Sequence, residues 1–158
     1  MSKKTKPKKT LVNQILDKAN ISYEDVFITL KEGKPTSQTN HSELIFKTLA
    51  LSGDKTGPII GIIPVQKHLS EKKLAKISGN KKVKMIPQKA LQATTGYVHG
   101  ANNPVGIRQR HDYPIYIDQL ALSYGEMIVS AGEIGHSIKI NSQQLADFVD
   151  AKFADLIE

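Results

Sequence analysis

Lys47 stands among Ile45, Phe46, Leu49 and Leu51. Side chains alternate along a strand, so Lys47 shares one face with Ile45, Leu49 and Leu51. An ammonium on such a face either snorkels to the rim or points into a polar pocket. In a pocket it is a fixed positive charge for a phosphate or a developing oxyanion. A second stretch, Thr94-Thr95-Gly96-Tyr97-Val98-His99-Gly100-Ala101-Asn102-Asn103-Pro104-Val105-Gly106, is rich in small residues. Glycines let a ligand approach the main chain, and exposed amides hold carbonyl or phosphate oxygens. An ordinary Gly-Asn-Pro turn cluster has the same composition. A third, Ser130-Ala131-Gly132-Glu133-Ile134-Gly135, follows a strand-like run and also fits a plain glycine-rich hairpin.

Other chemistries lack their residues. With no cysteine there is no disulfide scaffold, thiolate nucleophile or Cys-ligated metal site. His41, His68, His99, His111 and His136 have no metal-ligand spacing, and neither His-Glu-x-x-His nor Gly-x-Ser-x-Gly occurs. No metal and no cofactor is expected. Ser52-Gly53-Asp54-Lys55-Thr56 is a fragment of a phosphate loop without its glycine spacing, and no Gly-x-Gly-x-x-Gly is present.

The elements that must position these residues come from apolar spacing. Leu11 to Ala19 has helical spacing with Thr10 as N-cap. Tyr23 to Leu30 reads as a strand broken by Glu32-Gly33-Lys34-Pro35, and Thr36 to Ser42 has no assignable pattern. Ile45–Leu51 and Pro58–Val65, joined by Ser52–Gly57, read as a largely buried hairpin, with helical spacing for Glu43 to Leu51 as the alternative. Ser70 to Ile77 is a capped helix stopped by Gly79. Val83–Ile86 is a short strand, and Pro87 opens a helix to about Thr94. Thr95 to Asp112 is expected to be irregular. Strands follow at Pro114–Asp118, Glu126–Ser130 and His136–Ile140. Asn141 or Ser142 caps a final helix with Leu145, Phe148, Val149, Phe153 and Ile157 on one face. Without regular βαβ alternation the class is α+β.

The chain of 158 residues suits one domain, with 39% hydrophobic and 23% charged residues. The expected organisation is a disordered basic arm over residues 1–10 and one domain over 11–158. No apolar run approaches the roughly 18 residues of a membrane span, and the amino end has no apolar stretch after its lysines. A cytoplasmic protein without a membrane partner is expected. The net charge of +7 is unevenly spread. Five lysines fall in the first ten residues, and eight more lie between Lys67 and Lys89 against the single acid Glu71. Such polarity attracts a polyanion, although lysines also simply solvate helices and turns.

Phe46-Lys47-Thr48-Leu49, Thr95-Gly96-Tyr97-Val98-His99-Gly100, Pro104-Val105-Gly106, Val129-Ser130-Ala131-Gly132 and Ile140-Asn141-Ser142-Gln143-Gln144-Leu145 occur in that order. The ordered set resembles the YbaK/EbsC family, free-standing relatives of the editing domain of bacterial prolyl-tRNA synthetases, over roughly residues 11 to 157. The resemblance implies a mixed, largely antiparallel sheet curled into a barrel-like core with surrounding helices. It also implies deacylation of mischarged aminoacyl-tRNA in trans, typically Cys-tRNA(Pro), with prolyl-tRNA synthetase as a nearby partner. The family's catalytic lysine falls on Lys47, and its Gly-Gly pair on Gly100 and Ala101. Substrate contacts are expected at Gly100, Ala101, Asn102, Ser130 and Gly132, and contacts to the tRNA at Lys72, Lys73, Lys76, Lys81 and Lys82. The chain departs from the family at Ala101, at Asn103 where serine often precedes the proline, and at Phe27 or Ile28 where some members carry tyrosine. These changes leave open which amino acid is edited, Ala-tRNA(Pro) and Pro-tRNA being the other substrates.

An aminoacyl ester is activated, so positioning and oxyanion stabilisation suffice for its cleavage. The nucleophile is either the substrate's own thiol, as the resemblance suggests, or water. Two non-catalytic readings stay open: a tRNA- or nucleic-acid-binding module, and a protein that binds aminoacyl-adenosine or a free amino acid without turnover.

Overall fold

The computed structural model describes residues 8–28, 30–31, 34–35 and 42–158. In chain order its elements are α1 (Leu11–Lys18), β1 (Tyr23–Phe27), β2 (Leu30–Lys31), β3 (Lys34–Pro35), β4 (Phe46–Gly53), β5 (Gly57–Pro64), α2 (Glu71–Ser78), β6 (Val83–Met85), α3 (Gln88–Thr95), α4 (Pro104–Arg110), β7 (Ile115–Asp118), α5 (Leu120–Tyr124), β8 (Glu126–Glu133), β9 (His136–Asn141), α6 (Ser142–Val149) and β10 (Lys152–Ala154). The α+β class holds. A short 3-10 turn, Ser42–Leu44, precedes β4. Residues 1–7 of the expected arm and residues 36–41 lie outside the described residues. Thr10 caps α1 through a reciprocal bond with Asn13.

Isoleucines 59, 60, 62 and 63 are all fully buried, so β5 needs cover on both faces. It lies at the centre of a five-stranded sheet ordered β10-β7-β5-β4-β6. β7 runs parallel to β5 and β10, while β4 is antiparallel to β5 and β6. A second sheet, β1-β9-β8, is antiparallel. The sheets meet at one parallel bridge, Ile45 with Ile128. Among the described residues the strands hydrogen-bond as these sheets and the small β2–β3 pair, without closing into a barrel.

The main core lies between the two sheets. Phe46, Ala50, Ile60 and Ile62 meet Met127, Val129 and Ala131, closed by α1, α4 and α6. On the other face of the larger sheet, Leu51, Ile59 and Ile63 pack against Leu74 and Ala75 of α2 and against Leu156. Burying a leucine such as Leu74 stabilises by about 1.5–3 kcal/mol, which fixes α2 on the face that carries Lys47. Thr48 points into the main core, and its buried Oγ1 has no partner among the described residues. Thr48→Val removes an unsatisfied polar atom. We expect a gain of about 1 kcal/mol, a melting rise of about 3 °C in calorimetry.

Three expectations about elements need correction. Residues Thr95 to Asp112 are not wholly irregular. Asn103 accepts the Gly106 N–H at 2.6 Å and Pro104 takes the first helical position, so α4 starts there. The final helix stops at Val149, because Asp150 takes a left-handed conformation (φ 55°). Phe153 therefore belongs to β10, Ile157 bridges to Leu69, and Phe148 is 37% exposed. The strand from Tyr23 ends at Phe27, and Leu30 pairs with Pro35 in a separate ladder.

One acid ties the end of the described chain to the sheet. Asp118, 1% exposed, accepts N–H bonds from Leu120 at 3.1 Å and Leu156 at 2.9 Å. Leu156 O in turn accepts from Ser70 N at 2.7 Å, and Glu158 N donates to His68 O at 3.0 Å. Lys73 Nζ closes the strap on Asp155 at 2.8 Å and on Ile157 O at 2.7 Å.

Candidate functional site

Lys47 pairs with Ile63 in the β4–β5 register, on the face that α2 covers further along. A cleft of about 450 Å³ opens beside it. It is lined by Leu49, by His68 and Leu69 just before α2, by Glu71 at the start of α2, by Met85 at the end of β6, and by Glu158. Burial pushes the Lys47 ammonium below the ordinary lysine value. Among the described residues no carboxylate lies within ion-pair distance of it. Lys47 is thus a half-buried cation, without an ion pair among the described residues, in an open cleft.

The bridge from Ile45 to Ile128 is parallel. It is isolated, so β4 and β8 share no ladder beyond it, and Ser130, two residues after Ile128, is not among the residues lining the cleft. Ser130 Oγ accepts the Gly132 N–H at 3.0 Å, which leaves its own O–H free to donate.

The loop before α4 forms a separate grouping. Gly100 is left-handed (φ 90°), and Asn102 Oδ1 accepts from Thr95 Oγ1 at 2.7 Å. Asn103 Nδ2 donates to Ala101 O at 3.1 Å. The Ala101 N–H donates to Val98 O at 3.0 Å, so it is not available to a substrate carbonyl. The Gly100 N–H and Asn102 Nδ2 have no partner among the described residues. The loop leans on the end of β8: a Cβ on Gly132 would sit 3.3 Å from Tyr97 Cε1 and 3.6 Å from Asn103 Nδ2. The structure therefore joins Gly100, Ala101, Asn102 and Gly132 to one another. None of them lines the cleft beside Lys47, and Ser130 is tied to the loop grouping through its bond to Gly132.

Lys72, Lys76, Lys81 and Lys82 are exposed and free of ion pairs among the described residues. Lys73 differs from them, because its ammonium is spent on Asp155 and Ile157 O. The sequence reading missed Lys55, which is exposed at the turn between β4 and β5. It missed His68, Glu71 and Glu158 as cleft residues as well. No group of three His, Cys, Asp or Glu that could hold a metal occurs among the described residues, and no helix there is long and apolar enough to cross a membrane.

Residues 29–148 match the family model described as an aminoacyl-tRNA editing domain. The chain is 35% identical over 162 positions to EbsC of Enterococcus faecalis, covering 99% of this chain and 98% of that protein, whose name assigns it deacylation of Cys-tRNA(Pro) and Cys-tRNA(Cys). A solved scaffold protein used for epitope grafting superposes with a TM-score of 0.77 at 25% identity, over 93% of this chain and 94% of that one. A structure described as a trans-editing enzyme for prolyl-tRNA synthetase gives 0.74 at 20% identity, with the same coverage.

Proposed function

The chain belongs to the aminoacyl-tRNA editing domain family, in its YbaK/EbsC branch of free-standing relatives of the prolyl-tRNA synthetase editing domain, and on that footing we propose that it is a trans-acting deacylase clearing cysteine from Cys-tRNA(Pro). The observation that carries this reading is the Lys47 ammonium, half-buried without an ion pair among the described residues, in a cleft it shares with His68, Glu71 and Glu158. Residues 11–158 act as one editing domain, with the tRNA acceptor end as ligand. Prolyl-tRNA synthetase is the partner that hands the charged tRNA over, and the cytoplasm is where the two meet.

Lys47 holds the terminal phosphate or the ester carbonyl, whose negative charge grows in the transition state. The Ser130 O–H, on β8 of the second sheet, is a further free donor for the substrate. Gly100 N–H and Asn102 Nδ2 are the free donors left for the aminoacyl end. The nucleophile is the substrate's own thiol. Its sulfur attacks the ester carbonyl carbon, the carbonyl–ribose C–O bond breaks, and the thiol proton ends on the departing ribose oxygen. A four-membered thiolactone leaves and water opens it. Such a route needs no nucleophile from the protein. It also excludes alanine and proline, which have no thiol, whereas a pocket alone discriminates by only about 1–3 kcal/mol per methylene.

Incubation with Cys-, Ala- and Pro-charged tRNA(Pro) tests this. Release of cysteine alone is the expected outcome. Release of alanine or proline at the same rate replaces the thiol with water, and release of none leaves the non-catalytic tRNA-binding reading, which the engaged Ala101 amide favours. A second expectation concerns pH. The charged form of Lys47 acts, and burial lowers its pKa. Single-turnover rates at saturating enzyme therefore fall on the alkaline side at a pH below the ordinary lysine value, and Lys47→Arg moves that limb upward. A limb unmoved by Lys47→Arg assigns the titration elsewhere.

A further inference from the structure

Two turns at the far end of β4 are locked into one rigid unit. Asn80 Oδ1 accepts from Lys55 N at 2.7 Å and Thr56 N at 3.0 Å, while its Nδ2 donates to Thr56 Oγ1 and Ser78 Oγ. Asp54 Oδ1 accepts from Lys81 N at 2.8 Å and Lys82 N at 2.9 Å, and Asp54 N donates to Lys82 O. Those backbone donors hold the Asp54 carboxyl below its usual range. Gly53 completes the lock, because a Cβ there would lie 2.4 Å from Asn80 Nδ2. The result is a fixed tip with three exposed lysines, Lys55, Lys81 and Lys82, none of which forms an ion pair among the described residues, although the Lys55 charge adds to the lowering of the Asp54 carboxyl. Asp54, the acid that binds the tip together, has its carboxylate turned to the backbone.

Lys47 and this tip sit at opposite ends of one strand. From Lys47 to Gly53 the chain makes six steps, about 20 Å at roughly 3.3 Å per residue. Lys72 and Lys76, one helical turn apart on α2, lie over the same face of the sheet. We propose that the Lys55–Lys81–Lys82 tip grips the duplex phosphates of the acceptor stem, while the unpaired 3′ tail crosses α2 and delivers the ester to Lys47. The span of β4 then sets how much single strand a substrate needs, a length of the order of a few extended nucleotides. Asp54 and Asn80 are positioning residues: they preorganise the lysines and touch no RNA. This rests on the charged-tRNA reading above.

The test uses uncharged RNA, so it stands apart from turnover. Binding of a stem with an unpaired 3′ tail, and of the same tail as a free single strand, is followed by fluorescence anisotropy over a salt series. Lys55→Gln/Lys81→Gln/Lys82→Gln should weaken stem binding at least tenfold and flatten its log–log salt slope by about 2 to 3, with the free tail unaffected. Equal loss on both RNAs, or an unchanged slope, overturns the proposal. Asp54→Ala separates geometry from charge. It adds one net positive charge, so a purely electrostatic patch would bind more tightly. Loosening the tip should instead weaken the stem complex severalfold while the melting temperature confirms a folded protein. Tighter binding by Asp54→Ala overturns the positioning role. If the protein deacylates nothing but the stem-specific loss appears, the grip stands and the catalytic reading alone falls.

Discussion

Lys47→Ala lowers the single-turnover rate on Cys-tRNA(Pro) by about 100-fold or more and leaves the protein folded, with a melting temperature unchanged or raised. The magnitude is that of removing one preorganised charge from a developing oxyanion. The stability arm follows from the direction of the lysine's shift. A pKa lowered by burial means that the unfolded chain binds the proton more tightly. Unfolding free energy attributable to Lys47 therefore rises with pH through the window just below the ordinary lysine value, where the folded state has already lost its proton. At neutral pH the charged side chain costs stability, and alanine removes that cost. Lys47→Met, which keeps much of the apolar stem over Leu49, separates packing from charge. It should be as inactive as alanine and at least as stable as wild type. A rate within threefold of wild type for either variant takes Lys47 out of the reaction, and a lower melting temperature for both makes it a structural residue.

Asp118→Ala lowers the unfolding free energy by about 2–4 kcal/mol. Two N–H groups, on Leu120 and Leu156, lose their acceptor together, and one of those bonds is fully buried. In a chain of this length the melting temperature should fall by about 5–15 °C. Activity should fall as well at temperatures where the fold survives. The Leu156 bond holds the strap that carries Glu158 to the cleft, and the strap's remaining ties run to Ser70, His68 and Lys73. Asp118→Asn keeps one acceptor and should lose less than half as much. Chemical denaturation gives both values, and equal stability of wild type and Asp118→Ala would mean that the strap is held by its other bonds.

How much of this was legible in the sequence depended on whether the signal was local. Period-two alternation around Lys47 was enough to put it on a face with Leu49 and Leu51, because a strand allows no other arrangement. Caps worked equally well: Thr10, Ser70 and Gly79 all stand where their side chain or their positive φ dictates. The helix α4 was hidden by its own composition, since a proline and a glycine among seven residues erase helical periodicity. The Asn103-Pro104 pair was the available signal. Asp150 gave no warning that it would turn left-handed and send Phe153 into the sheet. The walls of the cleft could not be read at all. His68, Glu71, Met85 and Glu158 come from three stretches of chain, and nothing local marks any of them as Lys47's neighbour. Lys73 is the same residue type as Lys72 and Lys76, and only the strap's arrival decides that its charge is spent within the protein.

Because those walls are borrowed from regions so far apart along the chain, a half-folded molecule holds no reaction chamber. An unspecific esterase among charged tRNAs would strip correctly acylated ones, so a site that exists only in the folded chain is an advantage. If the proposed deacylation holds, its loss on denaturant addition should track global unfolding rather than precede it. Loss of the fold and loss of the chamber are then a single event.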